Sequence, residues 1–175
     1  VSTEMTWPIR SITKSYTVTA LLLLARDQAL DLDDKLDQYV PGFPNGDRIT
    51  LADMAGMQSG IGEYTANLEF QKLFGADVGR PFTEAQLAAY GLAESPRFLP
   101  GAEYEYSNTN TVLLGMIVEK VAKQPLGTVL QHRVLTPLGL TGTSYPSTVP
   151  LPDPHATPYE VNIDTGVAEV EPLVN

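Results

Sequence analysis

Four consecutive leucines, Leu21 to Leu24, set the tightest limit on how this chain can fold. They lie in a stretch, Ile12 to Ala29, that contains neither glycine nor proline. Such a stretch reads as a helix that begins near Ser11 and is ended by Gln28-Ala-Leu-Asp-Leu-Asp-Asp34. With about 3.6 residues per turn, four adjacent side chains point in four directions around the axis. Apolar groups in every direction leave no face for water, so this helix is expected at the centre of the structure.

The rest of the sequence supplies mainly more helices. Asp33 is placed to cap a short helix through Tyr39. Thr50-Leu-Ala-Asp53 has the form of a capping box opening a helix over Leu51 to Met57, with Asp53 where Glu is usual. Leu68 to Phe74 reads as a helix, and Thr83 caps another over Glu84 to Tyr90. The second strong helix is expected over Asn110 to Lys123, where Val112, Leu113, Met116, Ile117 and Val121 form a broad apolar face. Pro125 starts one more over Leu126 to Leu135. After Pro137 the character changes. Pro146, Pro150, Pro152, Pro154 and Pro158 predict extended or irregular chain. Glu160 to Val170 reads as a hairpin turning at Asp164-Thr-Gly166. The expected organisation is a helical unit over residues 1–145, followed by a Pro-rich segment and hairpin over 146–175.

Charge and composition narrow the function. The formal net charge is -10, and the 11 basic residues form no run. That argues against nucleic acid as a partner, since phosphate binding needs clustered Lys and Arg. There are no cysteines, which excludes disulfides, thiolate catalysis and cysteine-ligated metal sites. The two histidines, His132 and His155, stand far apart; the first reads as surface and the second as structural. A Ser-His-Asp triad or a zinc site therefore has little support. The longest aliphatic run, Ala20 to Ala25, is far short of the ~20 residues that span a bilayer. Glu4 and Arg10 flank Trp7-Pro8, unlike the apolar segment of a signal peptide. No metal or organic cofactor is implied.

The residues that suggest chemistry begin at Ser11-Ile-Thr-Lys14. At this spacing, on the first turn of a helix, the two side chains share a face. A serine hydroxyl is a poor nucleophile at neutral pH, and a neighbouring desolvated amine can take its proton. The helix N-terminus favours the developing negative charge. The same four residues also fit an N-cap serine followed by a solvated lysine. The second element is Tyr106-Ser-Asn108. A tyrosine and an asparagine two apart on a loop can point into one cleft, the first exchanging protons and the second holding a substrate amide. Here the other reading is a turn in which Asn108 caps the next helix. Glu63, Glu103 and Glu105 are acids that could assist water, and no spacing selects among them.

Six blocks now stand in order: Arg10-Ser-Ile-Thr-Lys-Ser-Tyr-Thr17, Leu30-Asp-Leu-Asp-Asp-Lys-Leu-Asp-Gln-Tyr-Val-Pro41, Arg48-Ile-Thr-Leu-Ala-Asp-Met54, Gln58-Ser-Gly-Ile61, Tyr104-Glu-Tyr-Ser-Asn-Thr-Asn110 and Leu135-Thr-Pro-Leu-Gly-Leu-Thr-Gly-Thr143. Together they resemble the penicillin-recognising serine hydrolases, in the branch of D-alanyl-D-alanine carboxypeptidases, class C β-lactamases and family VIII esterases. Ser-x-x-Lys is a motif of such enzymes, and Tyr-Ser-Asn stands where related enzymes carry Ser-Asp-Asn.

The resemblance implies acyl transfer to Ser11 from an amide, β-lactam or ester carbonyl. Lys14 and Tyr106 would share the proton traffic and Asn108 would hold the substrate amide. One oxyanion donor would be the Ser11 backbone N–H. It also implies a small-molecule or peptide-stem substrate and an extracytoplasmic location in bacteria. A non-catalytic relative of the penicillin-binding proteins, and a purely helical interaction module, are the other readings. The family's third motif, Lys-Thr-Gly or His-Thr-Gly on a strand, is not found. Asp164-Thr-Gly166 copies its last two letters only and comes too early. The fold class expected is therefore mainly α, the helical subdomain of an α+β fold, with most of the central antiparallel sheet to be completed by a missing segment or a second chain. The segment alone is expected to be poorly stable, because apolar area is left uncovered.

Overall fold

The structure, a computed structural model, describes residues 4–146 and 153–156, together with the backbone of 159–161 and 168–170. Arg10–Ile12 form a 3-10 turn that leads directly into α1, Thr13–Arg26. The helix ends at Arg26, two residues before Gln28, the first residue of the expected stop. Gln28 takes a left-handed φ of +59°. Its N–H donates to Ala25 O at 2.9 Å, and Ala29 N donates to Leu24 O at 3.0 Å. These two bonds make a Schellman stop without the glycine that usually announces one.

The leucine run is not buried on all sides. Leu21 is fully buried and Leu24 is 3% exposed, whereas Leu22 is 48% exposed. The reason is that α1 packs against α6, Asn108–Ala122, and against α7, Leu126–Leu130, and so has one inward face among the described residues. Leu36, Leu51, Met54, Leu113, Leu114, Ile117 and Val118 complete the buried core on that side. No helix among the described residues is long and apolar enough to cross a membrane.

Local capping chemistry sets most of the remaining boundaries. Thr50 and Asp53 form the expected box at the start of α3, Leu51–Ala55. Thr83 and Gln86 form a second at α5, Glu84–Ala93. Asn67 caps α4, Leu68–Ala76. Asp33 does not cap α2, Leu36–Tyr39; Lys35 precedes it with no side-chain cap. The neighbouring carboxylates are better spaced for the turn. Asp31 Oδ1 accepts from Asp33 N at 2.9 Å, and Asp34 Oδ2 accepts from Asp31 N at 2.8 Å. The start of α2 is instead fixed by Leu36 N donating to Ile49 O at 3.0 Å. Beyond α7 the expected single helix widens into a π turn, Gln131–Leu135, closed by Thr136 N donating to Gln131 O at 2.9 Å. Asp27, at the end of α1, is ion-paired with Arg26 and with Arg133 of this turn. The Arg26 hydrogen bond first, and then the Arg133 one, holds its carboxyl below the usual range.

A second, aromatic cluster lies beneath α4 and α5, where Phe70 stacks on Phe74 at 5.6 Å and meets Tyr64, Phe82 and Tyr90. Residues 153–156 lie beside Thr6, with Thr6 N donating to Pro154 O at 2.7 Å next to the backbone bridge between Thr6 and His155. His132 lies exposed in the π turn. The hairpin is present as β1, Tyr159–Val161, antiparallel to β2, Ala168–Val170. Its turn, Asp164-Thr-Gly166, lies outside the described residues, as do Pro150, Pro152 and Pro158.

Candidate active site

Ser11 is carried by the 3-10 turn rather than by the α-helix proper. In that geometry residues three apart eclipse one another. Lys14 is thereby set over Ser11, and its Nζ donates to Ser11 Oγ at 3.1 Å. The residue before, Arg10, has φ +46°, a left-handed backbone costing a non-glycine residue about 1–2 kcal/mol. This sharp entry leaves Ser11 exposed and Lys14 half-buried. Ser11 caps nothing, since neither the turn nor α1 carries a side-chain cap.

The opposite wall is the segment that runs into α6. Backbone bonds tie it to residues 57–60: Arg97 N donates to Gly60 O at 2.9 Å, Gly101 N to Gln58 O at 2.8 Å and Glu105 N to Met57 O at 3.1 Å. The approach is so close that a Cβ on Gly60, whose φ is +71°, would lie 2.1 Å from Phe98 O. Only glycine meets both demands. Ser59 Oγ donates to Asn110 Oδ1 at 2.6 Å in the buried interior and fastens the same turn to α6.

This wall brings Tyr106 OH to 2.9 Å from Ser11 Oγ across 95 positions of sequence. Lys14 Nζ lies 5.1 Å from the Tyr106 ring centroid, over its face. Tyr106 OH in turn donates to Asn108 Oδ1 at 3.2 Å. All four sequence-selected residues, Ser11, Lys14, Tyr106 and Asn108, thus form one hydrogen-bonded chain. Asn108 does not cap α6. It is the first residue of the helix, after Ser107 as a cap without a side-chain bond. A hydroxyl flanked by an amine and a phenol, all within hydrogen-bond reach, is suited to losing and regaining a proton.

Glu63 is the residue that sequence spacing did not separate from other acids. Its Oε2 accepts from the backbone N–H of Asn108 and, at 3.2 Å, from Asn108 Nδ2; its Oε1 accepts from Thr65 N at 3.0 Å. The bonds to Asn108 span 45 positions, and no local pattern signals them. Glu105 instead makes an exposed pair with Arg97 at 2.9 Å, and Glu103 is exposed. Burial raises the Tyr64 phenol's pKa, and the Glu63 carboxylate and Tyr106 raise it further.

A serine–lysine pair at the start of α1, faced by a Tyr-x-Asn segment in a mainly helical chain, fits the helical part of the β-lactamase and penicillin-binding fold. The description "Beta-lactamase" matches residues 1–175, and the chain belongs to that family. Protein flp of Staphylococcus aureus (strain COL) is 32% identical over 171 residues, covering 92% of this chain and 32% of that protein. Penicillin-binding protein 4* of Bacillus subtilis (strain 168) is 26% identical over 148 residues, covering 82% of this chain and 31% of its own length. Among solved structures, a D-stereospecific amidohydrolase from Streptomyces sp. superposes with a TM-score of 0.85 at 34% identity, over 94% of this chain and 52% of that one. EstCE1, a hydrolase with promiscuous acyltransferase activity, superposes with a TM-score of 0.72 at 26% identity, over 93% and 44%. The chain therefore spans about a third of the length of these curated relatives and about half that of the solved ones.

Proposed function

We propose that this chain supplies the nucleophilic half of a serine acyl hydrolase. Ser11 Oγ attacks a carbonyl carbon as its O–H proton passes to Lys14 or Tyr106. The C–N or C–O bond then breaks, the proton goes to the leaving group, and an acyl group remains on Ser11. Water, deprotonated by the same pair, later releases it as a carboxylate. Asn108 holds the amide next to the scissile bond. The Ser11 N–H is one oxyanion donor, and the resemblance assigns the second to the strand that carries the third motif. The observation that carries this reading is the 2.9 Å and 3.1 Å contacts that Ser11 Oγ makes with Tyr106 and Lys14.

The substrate class we favour is an amide flanked by a D-configured residue, whether a D-alanyl-D-alanine peptide stem or a simpler amide, with β-lactams as strained analogues. The Streptomyces relative, described as a D-stereospecific amidohydrolase, supports that choice. An ester hydrolase of the family VIII kind, or a silent binding protein, is the alternative. The test is to treat the full-length protein with a fluorescent penicillin and with a fluorophosphonate, and to map the mass increment. Ser11 should carry it, and Ser11→Ala should carry none. Labelling that survives Ser11→Ala, or no label on a folded wild type, refutes the proposal. Relative turnover of a D-amino acid amide, a D-alanyl-D-alanine peptide and a p-nitrophenyl ester then ranks the substrate classes.

A further inference from the structure

Among the described residues, three N–H groups hydrogen-bond to the Glu63 carboxylate. Asn108 N–H and Asn108 Nδ2 point at Oε2, and Thr65 N–H points at Oε1. A carboxylate only accepts. With Nδ2 turned to Glu63, the amide oxygen of Asn108 must face the other way, and it does, toward Tyr106 OH at 3.2 Å. Tyr106 therefore gives its proton to Asn108 and has only lone pairs left for Ser11. At the far end Lys14 Nζ donates to Ser11 Oγ at 3.1 Å. Ser11 then has one partner left for its own hydrogen, the Tyr106 oxygen 2.9 Å away. The donor order is Lys14 to Ser11 to Tyr106 to Asn108 to Glu63, without a conflict at any link.

We propose that Glu63 is a positioning residue that locks the Asn108 amide in one orientation and so directs the Ser11 hydroxyl toward Tyr106. This rests on the serine-hydrolase reading for its catalytic consequence, but the lock itself does not. Without an acceptor-only group at position 63 the Asn108 amide is free to turn over. Nδ2 would then face Tyr106, the phenol would donate to Ser11 rather than accept from it, and the Ser11 hydroxyl would no longer be held toward Tyr106. Glutamine is the informative substitute. It keeps the shape but offers one oxygen and one NH2 where three donors now converge, so either the Thr65 bond or the Asn108 orientation is given up.

The test uses the full-length protein and three readouts. First, the rate of Ser11 labelling by a fluorophosphonate should fall about 10²-fold in Glu63→Ala, the scale expected for a misplaced reacting group, and by less in Glu63→Gln. Second, in an Asn108→Ala background Glu63→Ala should have little further effect, because the residue acts through Asn108. Third, with 15N-asparagine labelling, the Asn108 Nδ2–H that bonds to Glu63 should move away from its hydrogen-bonded chemical shift in Glu63→Ala, with circular dichroism as the check on folding. Wild-type labelling rates in Glu63→Ala, losses that multiply in the double variant, or unchanged Asn108 amide signals overturn the proposal. Label that persists in Ser11→Ala, or none on the wild type, fails the serine reading instead; the amide signals then decide the lock alone.

Discussion

Gly91→Ala tests the packing that holds the candidate site together. Gly91 lies in α5 against α6, where a Cβ would sit 2.3 Å from Thr109 Cγ2, 2.7 Å from Thr109 Oγ1 and 3.1 Å from Thr109 Cβ. Carbon atoms in contact prefer about 3.5–4.0 Å, so the helices must separate by about 1 Å or Thr109 must turn. On an open helix this change would stabilise by about 1 kcal/mol through helix propensity. Here overpacking costs about 1–3 kcal/mol. Turning Thr109 also breaks the 3.0 Å bond from Tyr64 N to Thr109 Oγ1, and an unsatisfied N–H adds about 1–3 kcal/mol. The net expectation is a loss of about 1–5 kcal/mol, opposite in sign to propensity. The assay is urea unfolding of the full-length protein followed by circular dichroism, at constant m-value. Thr109→Ala removes both of the nearest atoms, so the double variant should lose less than the sum of the singles. A Gly91→Ala protein as stable as the wild type, or strictly additive losses, would refute the packing argument.

Two other outcomes follow from named groups. Lys14→Ala should lower the rate of Ser11 acylation by about 10²–10⁴-fold, the usual range for a lost general base. It should affect binding of the unreacted substrate much less, because a proton acceptor is removed and not a contact; equal single-turnover rates would count against the role. Tyr39 gives a pH signature. Burial, then its 2.6 Å bond to Asp34, pushes the phenol up to about 12. The folded state therefore holds this proton more tightly than the unfolded chain, where the pKa is about 10. The contribution is intact below about pH 10 and is lost as pH rises from there toward about 12. Tyr39→Phe should flatten that part of an alkaline stability profile, and an unchanged profile would show that Tyr39 does not cause it.

Much of the architecture was legible because it is written locally. The box at Thr50 and the cap at Thr83 depend on residues three positions away; the first is legible as a box, the second only as a cap, since the return bond from Gln86 is not part of that reading. The stop of α1 is expected at the run that begins with Gln28, and the helix ends two residues earlier, at Arg26, with Gln28 in the left-handed conformation. Asp33 misled for the opposite reason: three aspartates crowd the same turn, and only backbone geometry decides which two hold it. The exposure of Leu22 follows from where α6 and α7 dock, which periodicity in α1 alone does not encode. At the site, Ser11, Lys14, Tyr106 and Asn108 were visible as residue types at recognisable spacings. Glu63 was not, since its partner lies 45 positions on and Glu103 and Glu105 offered the same chemistry to the eye.

The two halves of the site differ in how they are made. Ser11 and Lys14 are neighbours on one turn and stay together whenever the start of α1 is wound. Tyr106 reaches them from 95 positions away, delivered by the seating of α6 on α1 and by the backbone ties to residues 57–60. A slight parting of those helices would leave the serine–lysine pair whole and yet mute. Reactivity of Ser11 would then serve as a gauge of tertiary closure, fading before any helix melts.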